Sequence, residues 1–116
     1  MKKKNRVKKN EEFQLIIRKR NSYANKSFVI YTANKKEIEA RVGISVSKKL
    51  GNAVKRNKIK RQLRMMIDEL YDYKSEKKDL LVIVRANYNK QKYLNNKKDL
   101  EIALKNAKIN KKLNKK

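Results

Sequence analysis

Hydrophobic residues recur with two different periods along this chain, and the change from one period to the other predicts its elements. The segment SFVIYTA at 27–33 alternates in the manner of a β-strand. Phe28 and Ile30 share one face of that strand. Val29 and Tyr31 lie on the other face, so Tyr31 points away from the side that Phe28 defines.

A second alternating segment, RVGISVSKK at 41–49, predicts another strand. Its inward face carries Val42, Ile44 and Val46. Its opposite face carries Arg41, Gly43, Ser45 and Ser47. The run DLLVIVRA at 79–86 is continuously apolar, as in a strand that is covered on both faces. Residues 22–25 are a weaker candidate for a short strand ahead of these.

Three other segments have the spacing of an amphipathic helix. Asn10 can cap the first, which runs to about Lys19. Its apolar face consists of Phe13, Ile16 and Ile17. The second follows Gly51-Asn52 and reaches about position 73, and the third covers about 94–109. The order α-β-β-β-α-β-α predicts an α+β or α/β sandwich, in which helices pack on a small mixed sheet.

The net charge indicates what kind of molecule the protein binds. The 116 residues predict a single domain with basic, flexible ends at about 1–9 and 110–116. A formal charge of +24, from 35 Lys and Arg against 11 Asp and Glu, favours an anionic partner. Nucleic acid is the leading candidate because neutralised phosphates release counterions. An anionic membrane would require large apolar residues on a basic helix, and the chain has no Trp and two Phe.

The residue types that the chain lacks exclude several functions. With no Cys and no His, it has no disulfide, thiolate nucleophile, His general base or Cys/His zinc site. No apolar run approaches the roughly 20 residues of a membrane span, and no signal-peptide core follows the basic start. We therefore expect a cytoplasmic protein without a membrane partner.

The second helix carries two separate stripes. Its apolar stripe consists of Ile59, Leu63, Met66, Ile67 and Leu70. A polar stripe well away from it consists of Asn57, Lys60, Arg61 and Arg64. A basic stripe is commonly a solvated face, but no Glu lies at i,i+4 from Arg56, Lys60 or Arg61 to balance them, and like charges at that spacing repel. The acids Asp68 and Glu69 lie at the far end of the helix. Because arginine forks suit phosphate oxygens, the helix predicts a nucleic-acid-binding surface.

The central motif RVGISVSKKLGNAVKRNKIKRQLR resembles that of the bacterial ribonuclease P protein subunit. The resemblance extends to RVKKNEEFQ near the start, to SFVIYT and to DLLVIVRA, and so covers nearly the whole chain in order. It implies an α-β sandwich with a mixed four-stranded sheet, a fold shared with a domain of a ribosomal protein. It also implies that the long helix forms an unusual left-handed crossover between parallel strands.

The resemblance further implies a function. Members of the family are the small protein partner of a large catalytic RNA, and together they remove the 5′ leader of precursor tRNA by endonucleolytic cleavage. The RNA carries the chemistry, with Mg²⁺ held by RNA and substrate. The chain would then be an accessory subunit of an endoribonuclease, without catalytic residues, a metal site of its own or an obligate protein partner.

Two groups of residues correspond to the RNA contacts of the family. The residues that correspond to contacts with the catalytic RNA are Arg56, Asn57, Lys60, Arg61 and Arg64. Phe13 and Tyr31 correspond to the cleft for the single-stranded leader, and Ile17 lies one turn after Phe13 in that cleft. Ser45 and Ser47 are further candidates to line it, because they share the non-core phase of their strand. Family members often have a second aromatic residue where this chain has Ile17. Phe13 could instead be a core residue of its helix.

Three alternatives stay open from the sequence. A small basic ribosomal protein without an enzymatic role would share the charge and size, although the central motif argues against it. An architectural DNA-binding protein would share the basic helix, but no helix-turn-helix pair or dimer heptad is visible. Asp68 and Asp72 are the best carboxylate pair for a catalytic metal, although acids near the end of a basic helix usually balance charge.

Overall fold

Seven helices and strands follow one another within residues 1–109, the part of the chain that the computed structural model describes. The helices are α1 (Asn10–Arg18), α2 (Ala53–Leu70) and α3 (Tyr93–Asn106). The strands are β1 (Ser22–Ala24), β2 (Phe28–Asn34), β3 (Val42–Ser45) and β4 (Lys78–Val84). Short 3₁₀ turns lie at Lys3–Asn5, Lys48–Leu50 and Ala86–Lys90. The predicted order α-β-β-β-α-β-α is confirmed.

The four strands of this region form one mixed sheet in the order β1-β2-β4-β3. Strand β2 is antiparallel to both β1 and β4, whereas β3 is parallel to β4. Because parallel neighbours cannot be joined by a tight turn, the chain crosses from β3 to β4 through α2. The predicted α+β sandwich with a mixed four-stranded sheet is confirmed.

Strand β4 lies inside the sheet and has buried residues on both faces, as its continuous apolar run predicted. Leu80 and Val82 lie with Phe28 and Ile30 in a large core that α2 and α3 complete. Leu81 lies on the opposite face, where it is fully buried in a smaller cluster with residues of α1. The sheet is therefore packed between α2 and α3 on one face and α1 on the other.

Each of the longer helices buries one stripe. Helix α2 buries every residue of its predicted apolar stripe, namely Ile59, Leu63, Met66, Ile67 and Leu70. Helix α3 adds Leu100, Ala103 and Leu104 to the same core. Within residues 1–109, no helix is long and apolar enough to cross a membrane.

Residues 5–7 pack against the sheet, within the segment 1–9 that the sequence predicted as a flexible basic end. The backbone N–H of Val7 donates to the carbonyl oxygen of Val42 at 3.0 Å. The side-chain amide of Asn5 donates to the carbonyl oxygen of Ala40, also at 3.0 Å. Asn5 and Val7 are buried, because this segment covers the edge of β3, whose backbone groups would otherwise lack partners. The predicted basic end at 110–116 lies outside the described residues.

Local hydrogen bonds set several boundaries that the periodicity alone placed differently. Helix α1 begins at Asn10 itself, which is therefore not its cap. Strand β3 ends at Ser45 rather than at 49, because the Ser47 hydroxyl accepts the backbone N–H of Lys49 at 3.2 Å and starts a 3₁₀ turn. Helix α2 begins where it was predicted, and the Asn52 side chain caps it by accepting a backbone N–H at 2.9 Å.

Candidate nucleic-acid interface

Helix α2 presents a row of polar and basic side chains on the side that faces away from the core. Asn57 and Arg61 are exposed, and Lys60 and Arg64 are partly buried. Within residues 1–109, none of these four side chains makes a hydrogen bond or an ion pair. Arg56 differs, because its Nε donates to a backbone carbonyl just before the helix at 3.2 Å. Four of the five predicted docking residues therefore have polar groups that make no hydrogen bond within residues 1–109.

The acids of α2 lie at its C-terminal end, where Asp68 is one turn from Arg64. No ion pair within the described part of the chain uses a cation of α2. Asp68 accepts the Tyr73 hydroxyl at 2.8 Å, and Glu69 pairs with Lys97 of α3. Because like charges one turn apart on a helix repel, the row favours a bound polyanion such as a phosphate backbone.

The second face of the sheet carries two rows of side chains, which the strand register defines. One row consists of Tyr31, Leu81 and Gly43. The neighbouring row consists of Val29, Ile83 and Ser45. Phe13 and Ile17 of α1 pack in one apolar cluster with Tyr31 and Leu81 of the first row. The side chains of the second row stay partly exposed, so the sheet is open beside α1.

This partly exposed surface beside α1, which we call the α1 cleft, consists of Phe13, Ile17, Tyr31, Ile83 and Ser45. All five lining residues are partly buried, so each contacts the protein and still reaches solvent. Four of the five predicted cleft residues are thus brought together. Ser47 is not, because it lies beyond the end of β3 and its hydroxyl caps the 3₁₀ turn. Sequence reasoning missed Ile83, because the register that pairs it with Ser45 has no local signal.

A partly buried charge network holds the start of α1 against the sheet. Nη1 of Arg41 donates to Oε2 of Glu12 at 2.9 Å, and its Nη2 lies 3.6 Å from Oδ2 of Asp79. The backbone N–H of Arg41 donates to Oδ1 of Asp79 at 2.8 Å. Burial raises the pKa of Asp79, although the bonds from Arg41 act in the opposite direction. The network fixes one wall of the α1 cleft, and sequence reasoning missed it because its members are far apart in the chain.

The basic row and the α1 cleft belong to different faces of the sheet. Helix α2 packs on the face that contains Phe28, and α1 packs on the face that contains Leu81. The connection from β3 to α2 leads from one to the other, and it carries the exposed residues Lys48 and Lys49. A ligand on α2 and a ligand in the α1 cleft would therefore contact separate sets of residues.

The sequence matches known proteins along most of its length. Residues 1–108 match the family model described as Ribonuclease P. The ribonuclease P protein component of Bacillus mycoides is 50% identical over 101 residues, which cover 86% of this chain and 88% of that protein. The corresponding component of Bacillus cereus is 48% identical over the same length, with the same coverage.

Solved structures show the same fold. A mutant of the Staphylococcus aureus RNase P protein, described as defective in mRNA degradation activity, has a TM-score of 0.82 at 49% identity and covers 92% of this chain and 91% of that chain. The Thermotoga maritima RNase P protein has a TM-score of 0.74 at 26% identity, covering 87% and 96%. Fold and matches together define the class, the protein components of a tRNA-processing ribonucleoprotein. The chain belongs to the ribonuclease P protein family.

Proposed function

We propose that this chain binds a catalytic ribonuclease P RNA through α2 and holds the single-stranded 5′ leader of precursor tRNA in the α1 cleft. One observation carries the proposal. A basic row that forms no ion pair within residues 1–109 and an apolar cleft with two aromatic rings lie on opposite faces of one sheet. The family match favours this function over that of a small basic ribosomal protein.

The basic row of α2 suits a folded RNA. Arg61 and Arg64 offer planar forks that can each donate two hydrogen bonds to a phosphate, and Lys60 adds a compact positive charge. Asn57 can both donate and accept, so it suits a ribose hydroxyl, which a cation can only donate to. Because the opposite stripe of α2 is buried in the core, the row has a fixed backbone before RNA binds.

The α1 cleft suits single-stranded RNA. Phe13 and Tyr31 are partly exposed, so each ring packs on the protein and leaves part of its surface for a base. Stacking on an aromatic ring contributes about 1–3 kcal/mol per base with little sequence preference, which fits leaders of varied sequence. Ile17 and Ile83 support a base by dispersion contact, and the Ser45 hydroxyl can donate or accept a hydrogen bond.

In this proposal Mg²⁺ belongs to the RNA and the substrate. Within residues 1–109, no group of three or more Asp or Glu side chains could hold a metal ion, so the residues present do not fit a dedicated site. Metal-assisted activation of the attacking water is then chemistry of the RNA subunit. The contribution of the chain is to hold the leader, which reduces the entropic cost of presenting the cleavage site.

Two substitutions separate the surfaces in holoenzyme assembled with a bacterial ribonuclease P RNA. Arg61→Ala should weaken binding of the RNA subunit by about tenfold, because it removes a charge-assisted contact. Tyr31→Ala should leave that affinity unchanged and reduce the preference for precursor tRNA over leaderless tRNA by about tenfold. Titrations with labelled RNA subunit and with the two tRNAs measure these affinities.

Matched variants control for charge and for folding. Lys105→Ala removes an exposed cation from α3 and should change neither affinity. Tyr31→Phe keeps the ring and should keep the leader preference. If Arg61→Ala and Tyr31→Ala lowered the same affinity to the same extent, the assignment of two separate surfaces would be wrong.

A further inference from the structure

Gly43 lies within β3, where glycine is unfavourable and its presence calls for a structural explanation. It is buried, and the register pairs it with the fully buried Leu81. Glycine weakens a strand, because it adds no side-chain packing and loses more backbone entropy on folding than other residues. The chain contains only two glycines, and at this one another residue occupies the space that a side chain would fill.

The ring of Phe13 fills that space. A Cβ atom built on residue 43 would lie 2.8 Å from Cε1 and 2.9 Å from Cζ of Phe13, and 3.2 Å from Cβ of Val7. Carbon atoms in contact normally stay about 3.5–4.0 Å apart. The edge of the Phe13 ring therefore lies on the β3 backbone, closer than any residue with a Cβ atom would permit.

Of these two neighbours, only Phe13 can move away at low cost. Val7 is held in place, because its backbone N–H donates to the carbonyl oxygen of Val42 at 3.0 Å. The Cε1 and Cζ atoms of Phe13 lie at the far end of a side chain that can rotate about two torsions. A methyl group at position 43 would thus move the ring roughly 0.7–1.2 Å off the sheet.

We propose that Gly43 is a positioning residue for leader recognition, because its missing side chain sets the height of the Phe13 ring above the sheet and hence the depth of the α1 cleft. This inference rests on the function proposed above for that cleft. Gly43 lies beneath the ring and acts through Phe13. Because a base gains from stacking only in close contact with a ring, a shift of this size changes how a base fits the cleft.

A double-mutant cycle in the assembled holoenzyme tests this inference. The quantity measured is the ratio of the affinities for precursor tRNA and for the same tRNA without a leader. Gly43→Ala should lower this ratio by about 5- to 10-fold. In a Phe13→Ala background the ring is absent, so Gly43→Ala should change the ratio by less than about twofold.

The outcomes of the cycle distinguish a displaced Phe13 ring from a damaged fold and from an incorrect proposed function. The affinity of Gly43→Ala for the RNA subunit should match the wild type, which distinguishes a moved ring from a damaged fold. If Gly43→Ala lowers the melting temperature, it should lower it less in the Phe13→Ala background than in the wild type, and an equal decrease in both backgrounds would overturn the inference. An unchanged ratio, or an equal loss with and without the Phe13 ring, would also overturn it. A wild type without leader preference would instead contradict the proposed function.

Discussion

At the residue scale, one polar network joins α3 to the turn between β1 and β2. The Ser27 hydroxyl donates to Oδ2 of Asp99 at 2.6 Å, and the Gln91 amide donates to the same oxygen at 2.8 Å. The Asn25 amide donates to the Asp99 carbonyl oxygen at 2.8 Å. Burial alone would raise the pKa of Asp99, but the hydrogen bonds from Ser27 and Gln91 hold it below its ordinary value. The charged form of Asp99 therefore stabilises the fold.

We expect Asp99→Asn to lower the free energy of unfolding at neutral pH by about 1–2 kcal/mol, because two charge-assisted hydrogen bonds are weakened. The folded-state pKa lies below the ordinary value of 3.8, so the folded state binds fewer protons than the unfolded chain at low pH. The contribution of Asp99 is therefore present above pH 3.8 and is lost as the pH falls further. Urea denaturation over this range should show wild type and variant converging at the acidic end.

Glu37→Gln is the matched control for this prediction. Glu37 is an exposed carboxylate between β2 and β3, and its substitution should leave the stability within about 0.5 kcal/mol of the wild type. A constant difference between wild type and Asp99→Asn down to the lowest pH would show that the charge of Asp99 is not what stabilises the network.

The sequence predicted which residues belong to the candidate site better than it predicted which residues they contact. Strand alternation placed Tyr31 away from the main core, and helical spacing placed Phe13 with Ile17. Ile83 was missed, because both phases of its strand are apolar and only the register shows which side is open. Gly43 carried a signal, since a glycine inside an alternating strand often marks a close approach, but the approaching ring is distant in sequence.

At the element scale, the hydrophobic periodicity predicted the buried face and the start of α2 correctly. All five residues of its apolar stripe are buried, and Asn52 caps its start. The pattern placed the end of β3 too far along the chain. The hydrophobic alternation continues beyond Ser45, but the Ser47 hydroxyl caps a 3₁₀ turn that ends the strand. The pattern gave no sign of the contact between residues 5–7 and β3, because the bridge of Arg6 to Val42 and the hydrogen bond from Val7 to Val42 join segments that are far apart in the chain.

The two sides of α2 predict opposite responses to the same kind of truncation. Leu63 is completely buried, so Leu63→Ala should lower the free energy of unfolding by about 2–5 kcal/mol through lost burial and a residual cavity. Met65 on the outward side is 54% exposed, so Met65→Ala should change it by less than about 0.5 kcal/mol. Urea titrations of both variants measure the difference, and comparable losses would contradict the observed orientation of the helix.

At the scale of the whole molecule, the charge is the dominant property. With 35 Lys and Arg against 11 Asp and Glu, most cations have no acid with which to pair. Such a charge destabilises the compact state by self-repulsion. The folded protein should therefore be stabilised by multivalent anions, which concentrate negative charge where the cations are held together.

Phosphate, sulfate or polyphosphate should raise the melting temperature, because these anions bind the folded state more tightly than the unfolded chain. At saturation the shift should be about 5 °C or more for a domain of this size. Thermal denaturation followed by circular dichroism measures it. Sodium chloride at matched ionic strength is the control for screening, and a melting temperature indifferent to polyphosphate beyond that control would contradict the prediction.

Cleavage of precursor tRNA by the assembled holoenzyme tests the central claim most directly. The chain is added to a bacterial ribonuclease P RNA at low Mg²⁺, and release of the 5′ leader is followed over time. We predict that cleavage under these conditions requires both components and that the chain alone releases no leader. Tight binding of the RNA without any stimulation of cleavage would contradict the proposed function.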